Sequence, residues 1–129
     1  MARPASKHPT ELELEILKVL WDEAPLSGRQ VRDRLAAVRE LTYTSVMTVL
    51  GIMEDKRYVA RKRANGSYLY SARLSREAAS RRMLRDLVDR VFGGSAATAM
   101  VNLLETSDVD SDELRQLREL IQRKAKEQS

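Results

Sequence analysis

The stretch TYTSVMTVLGIMEDKRYVARKRANGSYLYSA, residues 42–72, decides the fold. Its first half is apolar at helical spacing, and Thr42 is a suitable N-cap. The predicted buried stripe of this helix consists of Val46, Val49, Leu50 and Met53. The second half changes to a rough alternation of aromatic, β-branched and basic residues, interrupted by Asn65-Gly66, a pair that supplies the positive φ angles of a tight hairpin turn. We therefore predict a helix followed by a two-stranded ribbon.

Two shorter helices are predicted before this stretch. Thr10 with Glu13, and Ser27 with Gln30, each have the spacing of a capping box, and Pro25 separates the two. The apolar positions are Leu12, Ile16, Val19 and Leu20 in the first helix and Val31, Leu35 and Val38 in the second, which we expect to run to about Arg39. The order of three helices and a hairpin predicts a winged helix-turn-helix domain over residues 1–73.

The third helix has a row of small residues on the face opposite its apolar stripe, at Thr44, Thr48 and Gly51. Short side chains let a helix approach base-pair edges, and hydroxyl groups bind bases or phosphates. Ordinary exposed helices also carry such residues, so the row alone is a weak signal. The predicted DNA contacts are Tyr43, Thr44, Ser45, Met47 and Thr48 on the helix and Arg61, Lys62, Arg63, Asn65, Ser67 and Tyr68 on the wing.

The charge distribution agrees with a nucleic-acid ligand. Residues 1–73 carry 13 Lys or Arg against 9 Asp or Glu, whereas residues 74–129 carry 10 of each, so the net charge of +4 lies in the first part. Between residues 56 and 73 there are six basic residues and no acidic one. Such a patch attracts a polyanion, although a solvated charged face remains the plain alternative.

Residues 74–129 are predicted to form three helices with wide apolar stripes. Gly93-Gly94 ends the first of them, Ser95 caps the second, and Asp110 with Glu113 opens the third. They bury too little surface alone, so we expect a homodimer, with packing onto the first domain as the alternative. The predicted dimerisation residues are Met83, Leu87, Val91, Met100, Leu104, Leu114, Leu117 and Ile121.

Several functional classes are disfavoured by composition. The chain has no Cys, and His8 is its only imidazole, so we expect no metal site and no cofactor. No apolar run approaches the roughly 18 residues of a membrane span, and the first residues have no secretory signal, so we expect a cytoplasmic location. The carboxylates lie amid ordinary surface charge, so we expect neither an enzyme nor a small-molecule substrate.

The sequence resembles the BlaI/MecI family of bacterial penicillinase and methicillin-resistance repressors. Three segments carry the resemblance: ELEILKVLWDEAPLSGRQVRDRL, LTYTSVMTVLGIMEDKRYVARKRANGSYLYSA and VFGGSAATAMVNLLETSDVDSDELRQLRELI. It covers about residues 10–124 and implies a winged-helix domain, a helical domain that intertwines two subunits, and binding of the dimer to a palindromic operator in double-stranded DNA. It also implies base contacts from Thr44, Ser45, Met47 and Thr48, and a link to antibiotic resistance.

The same resemblance implies inactivation by proteolysis in the dimerisation domain, triggered by a membrane-embedded zinc metalloprotease sensor. The Asn-Phe bond cleaved in the staphylococcal members matches Asn102-Leu103, with Leu in place of Phe. The sequence-based conclusion is a dimeric transcriptional repressor that binds a palindromic operator. The alternative is a winged helix used for contacts with protein or RNA.

Overall fold

The computed structural model describes residues 8–128. Within this range the chain forms six helices and one antiparallel hairpin. The elements are α1 (Glu11–Glu23), α2 (Gly28–Leu35), α3 (Tyr43–Asp55), β1 (Val59–Ala64), β2 (Ser67–Ala72), α4 (Arg76–Val91), α5 (Ala96–Thr106) and α6 (Ser111–Glu127). The chain divides into two compact units between Asp86 and Leu87.

The first unit is built around one apolar core. Both predicted capping boxes are confirmed, at Thr10 for α1 and at Ser27 for α2, and Thr42 caps α3 as expected. The caps satisfy backbone N–H groups that a helix leaves unpaired, so the three short helices start at defined residues. The buried cluster consists of Ile16, Leu17, Leu20, Leu26, Val31, Leu35, Val46, Leu50, Met53, Tyr58, Val59, Tyr70, Leu74 and Ala79.

The hairpin has the predicted turn. Asn65 and Gly66 both have positive φ, 51° and 77°, and the strands pair antiparallel with Arg61 opposite Tyr70 and Arg63 opposite Tyr68. Leu26 and Tyr70 exchange two backbone hydrogen bonds, of 3.1 and 2.7 Å, which add the link between α1 and α2 to the edge of the ribbon. A helix-turn-helix with a wing anchored in this way is a winged helix, as predicted.

The predicted end of α2 is wrong. The helix ends at Leu35 instead of Arg39, and Val38, expected in the buried stripe, is 72% exposed. The amides of Val38 and Arg39 both donate to the carbonyl of Leu35, at 2.9 and 2.7 Å, and this tight turn directs Val38 to solvent. The apolar residues therefore continue at helical spacing in the sequence past Leu35, where the helix ends.

The second unit contains the end of α4, α5 and α6. Gly93 and Gly94 have positive φ, and the Gly94 amide donates to the carbonyl of Val88 at 3.0 Å, which ends α4 in a glycine C-cap. Ser95 caps α5, and Asp110 forms the predicted capping box of α6.

The division between the units lies inside α4, beyond the expected boundary at residues 73 and 74. Leu74, just before α4, and Ala79, in its first turns, belong to the core of the first unit. The start of α4 is therefore packed as part of the winged-helix unit.

Candidate nucleic-acid interface

Helix α3 is held in place by its apolar stripe and leaves the opposite face free. Val46, Leu50 and Met53 are fully buried, whereas Thr44, Thr48 and Gly51 are exposed. A Cβ built on Gly51 would meet no heavy atom of the described residues within 4 Å. The row of small residues thus forms an open helical surface on which a base-pair edge can lie close to the backbone.

Two hydroxyl groups on this face have distinct hydrogen-bonding capacities. The Thr42 hydroxyl accepts the amide proton of Ser45 at 3.1 Å and donates to Ser45 Oγ at 2.9 Å, which leaves the Ser45 hydroxyl proton available to an acceptor. The Thr48 hydroxyl donates to the carbonyl of Thr44 at 3.0 Å, so its oxygen is left as an acceptor. The face therefore offers a donor and an acceptor about one turn apart.

Met47 and Tyr43, predicted to contact DNA, also pack against α2. Gly28, at the start of α2, is buried, and a Cβ there would collide with Met47 Sδ and lie 3.5 Å from Tyr43 Cε2. Met47 is only half-exposed, and the guanidinium of Arg29 lies 4.8 Å from the ring centroid of Tyr43. The absence of a side chain at Gly28 is what lets these two residues lie close to the α2 backbone.

The wing presents its basic side chains in two different states. Arg61 Nε lies 3.2 Å from Glu54 Oε2, and the Arg61 guanidinium covers the ring of Tyr68 at 4.2 Å. Arg63 lies farther from the same ring, at 5.8 Å, and Lys62 is exposed. Asn65 and Ser67 are exposed at the tip. Tyr68 is 40% exposed, but Tyr70, two residues on, is 3% exposed and belongs to the core.

A groove of about 290 Å³ connects these parts. Its walls are Ser27, Gly28, Arg29, Tyr43, Met47, Gly66, Ser67, Tyr68 and Tyr70. The start of α2, the start of α3 and the wing tip therefore meet at one surface. The residues contributed by α2 were not predicted as contacts, although the sequence Ser27-Gly28-Arg29 at a capped helix start is a signal for anion binding that could have indicated them.

A buried ion pair fixes α3 against α1. The Glu13 carboxylate is 3% exposed, accepts the Thr10 amide at 2.8 Å in its capping box, and accepts Lys56 Nζ at 2.9 Å. Lys56 is the C-cap residue of α3. One carboxylate thus joins the beginning of α1 to the end of α3, and so orients the exposed face of α3.

The residues predicted for dimerisation lie on solvent-facing helical surfaces. Met83 is half-buried in the first unit, while the other predicted residues are between 39% and 65% exposed. These exposed residues are Leu87, Val91, Met100, Leu104, Leu114, Leu117 and Ile121.

The predicted cleavage residues lie within α5. Asn102 donates from Nδ2 to the carbonyl of Thr98 at 3.0 Å, and Leu103 is more than half exposed. In residues 8–128 there is no group of three or more His, Cys, Asp or Glu side chains able to hold a metal ion. No helix in this range is both long and apolar enough to cross a membrane.

A family model described as Penicillinase repressor matches residues 9–123. The chain belongs to the penicillinase repressor family. This match confirms the resemblance inferred from the sequence, and it spans the winged helix and the helices that follow.

Curated relatives of this penicillinase repressor family member carry related names. The Transcriptional regulator BlaI of Mycobacterium tuberculosis (strain H37Rv) is 33% identical over 108 residues, which are 81% of this chain and 78% of that protein. The Methicillin resistance regulatory protein MecI of Mammaliicoccus sciuri is 19% identical over 112 residues, 87% and 91% of the two chains. Among solved structures, the PcaV transcriptional regulator from Streptomyces coelicolor, in complex with its natural ligand, is 18% identical, with a TM-score of 0.47 over 95% of this chain and 79% of that one.

Proposed function

We propose that the protein is a dimeric transcriptional repressor that binds a palindromic operator in double-stranded DNA. The observation that carries the proposal is the exposed face of Thr44, Thr48 and Gly51 on α3, flanked by the basic wing, in a chain that belongs to a repressor family. Short side chains on this face would let α3 approach base-pair edges in the major groove, and the wing cations would contact phosphates of the backbone. We assign no enzymatic role.

The homodimer is supported by the apolar side chains of the second unit. Leu117, Leu120 and Ile121 on α6, and Met100 and Leu104 on α5, are all at least 39% exposed. An isolated chain would leave this apolar surface in water, and a second copy has the same surface to offer. Two half-sites bound by one dimer then act through their effective concentration, so separated subunits lose most of their affinity.

Proteolysis would control the repressor by removing the affinity that the dimer gains from two half-sites. Cleavage between Asn102 and Leu103 would divide α5 and remove α6 from the winged helix. The exposure of both residues supports access by a protease, and local unwinding of α5 would have to precede cleavage because its backbone is hydrogen-bonded. The proposed agent is a membrane-embedded zinc metalloprotease sensor. Mass spectrometry of the repressor from cells in which its target genes are derepressed tests this proposal: a fragment that ends at Asn102 is expected, and an intact chain under derepression would contradict it.

The central experiment is selection of duplexes bound by the full-length protein from a random DNA pool, followed by binding of the selected duplex at several salt concentrations. We expect an enriched inverted repeat with half-sites about one helical turn apart. If each wing contacts about three phosphates, the dimer contacts about six. The logarithm of affinity should then fall with the logarithm of salt at a slope near −5, since each phosphate contributes about −0.9.

The alternative is a winged helix that contacts protein. In that case no duplex would be enriched, and salt would have little effect on binding. Enrichment of a single-stranded or RNA ligand in a parallel selection would instead assign the basic wing to RNA.

A further inference from the structure

We infer that Glu54 is a specificity-determining positioning residue, which acts on DNA through Arg61 without touching DNA itself. This inference rests on the proposed function. Glu54 lies in the last turn of α3, and its carboxylate reaches across to β1, where Oε2 lies 3.2 Å from Arg61 Nε. The ion pair therefore links the helix proposed to bind bases with the wing proposed to bind phosphates.

The location of Glu54 is not explained by the stability of α3. Glu54 and Asp55 both lie at the C-terminal end of the helix, where the macrodipole disfavours negative charge. Both side chains are on the surface. Of these two residues, Glu54 alone has a cationic partner among residues 8–128. Exposed ion pairs contribute little to stability on their own. The role of the ion pair is therefore better explained by the restraint that Glu54 places on the Arg61 side chain.

Arg61 is restrained on two sides and available on a third. Glu54 approaches the guanidinium through Nε, and the Cζ atom of Arg61 lies over the ring of Tyr68, 4.2 Å from the ring centroid. Among the described residues, neither terminal nitrogen of Arg61 donates a hydrogen bond. A guanidinium held between a carboxylate and an aromatic ring can present its terminal N–H groups to a phosphate with little further loss of side-chain freedom.

The consequence concerns specificity more than affinity. On an operator, α3 and the wing must make their contacts in one register, and a fixed Arg61 meets its phosphate only in that register. Random DNA requires no single register, so Arg61 can contact a phosphate there equally well with or without the restraint. Specificity is a difference between two affinities, so a restraint that helps only the first complex raises it.

Simple electrostatics predicts the opposite change in operator affinity, so the experiment distinguishes the two explanations. Removal of a carboxylate near DNA should tighten binding to every duplex if Glu54 acts only through its charge. The inference instead predicts weaker binding to the operator with no loss on random DNA. Asp55→Ala is the matched control, since it removes the neighbouring charge and leaves Arg61 paired.

The experiment measures binding of the full-length protein to the selected operator and to a scrambled duplex at one salt concentration. We expect Glu54→Ala to weaken operator binding about 5-fold, the order given by two weak surface pairs in a dimer, and to leave scrambled DNA unchanged or slightly tighter. Glu54→Gln, which keeps the length of the side chain but removes its charge, should show a loss similar to that of Glu54→Ala, because the contact with Nε is an ion pair. In an Arg61→Ala background, Glu54→Ala should cause no further loss of operator affinity.

Three results would overturn the inference: tighter binding of Glu54→Ala to both duplexes, equal effects of Glu54→Ala and Asp55→Ala, or additive losses with Arg61→Ala. Equal melting temperatures for Glu54→Ala and the wild type exclude misfolding as the cause. Failure of the proposed function looks different, because the wild-type protein would then enrich no duplex at all.

Discussion

The two units of this chain use their apolar residues in opposite ways. In the first unit, side chains such as Ile16, Leu35 and Leu50 are completely buried by their own chain. In the second, Leu104, Leu114 and Leu120 are at helical spacing and yet more than 40% exposed. The same kind of pattern therefore makes a core in one region and an uncovered surface in the other, and the pattern alone does not say which.

The largest effect is expected from Leu117→Asp, which would break the proposed dimer. A carboxylate at this position of α6 would be buried against the second copy without a partner. We expect monomers in sedimentation, and operator affinity lower by about 100-fold or more as the avidity of two half-sites is lost. Gln116→Asp, one residue earlier on α6, is the charge-matched control and should remain dimeric. An unchanged dimer mass for Leu117→Asp would remove α6 from the interface.

The next test compares one leucine from each region. Leu50→Ala should lower the free energy of unfolding by about 2–5 kcal/mol, because it leaves a cavity in the core of the first unit, and by the same amount at every protein concentration. Leu120→Ala should lower the free energy of unfolding by less. The difference in melting temperature from the wild type should depend on protein concentration, since the lost contacts lie between copies. Calorimetry over a hundredfold concentration range makes the comparison. A concentration-independent loss for Leu120→Ala would mean that the second unit packs within one chain.

Local signals in the sequence predicted most of the first unit. The capping pairs at Thr10 and Ser27 and the Asn65-Gly66 turn need only neighbouring residues, and all three are confirmed. The exposure of Val38 was missed because the end of α2 is set by a turn on the Leu35 carbonyl, which the apolar period does not reveal.

Contacts between distant residues were beyond prediction. The approach of Met47 to Gly28 depends on how α2 packs on α3, and the pairing of Glu54 with Arg61 depends on where β1 starts after α3. The sequence named Arg61 as a wing cation without indicating that a carboxylate restrains it. The dimer contacts and the cleavage site stay predictions, since they involve other molecules.

A smaller effect is expected from Gly28→Ala, which tests whether the proposed DNA-binding face is part of the packed first unit. The new methyl group would displace the Met47 thioether, and because Met is flexible the unfolding free energy should fall by no more than about 1 kcal/mol. Base preference should change at one operator position, by about 1–3 kcal/mol, if Met47 contacts a base. Gly51→Ala, which adds a methyl group in open space on α3, is the folding control. An unchanged base preference for Gly28→Ala would make Met47 purely a packing residue.

The smallest expected effect concerns the start of α6, in the region that has little core of its own. A hydrogen bond from the backbone N–H of Glu113, followed by one involving the Glu113 side chain, lowers the pKa of Asp110 below its ordinary value. A group whose pKa is lowered by folding stabilises the folded state above its unfolded pKa, and this contribution is lost as pH falls through the folded value. Helix content measured by circular dichroism should therefore decline slightly below about pH 4. Asp110→Ala should remove that decline and lower the helix content at neutral pH, whereas Asp108→Ala, which removes a nearby carboxylate outside the capping box, should do neither. If both variants titrate like the wild type, the cap does not control the start of α6, and the helix would have to be held by its contacts with the second copy alone.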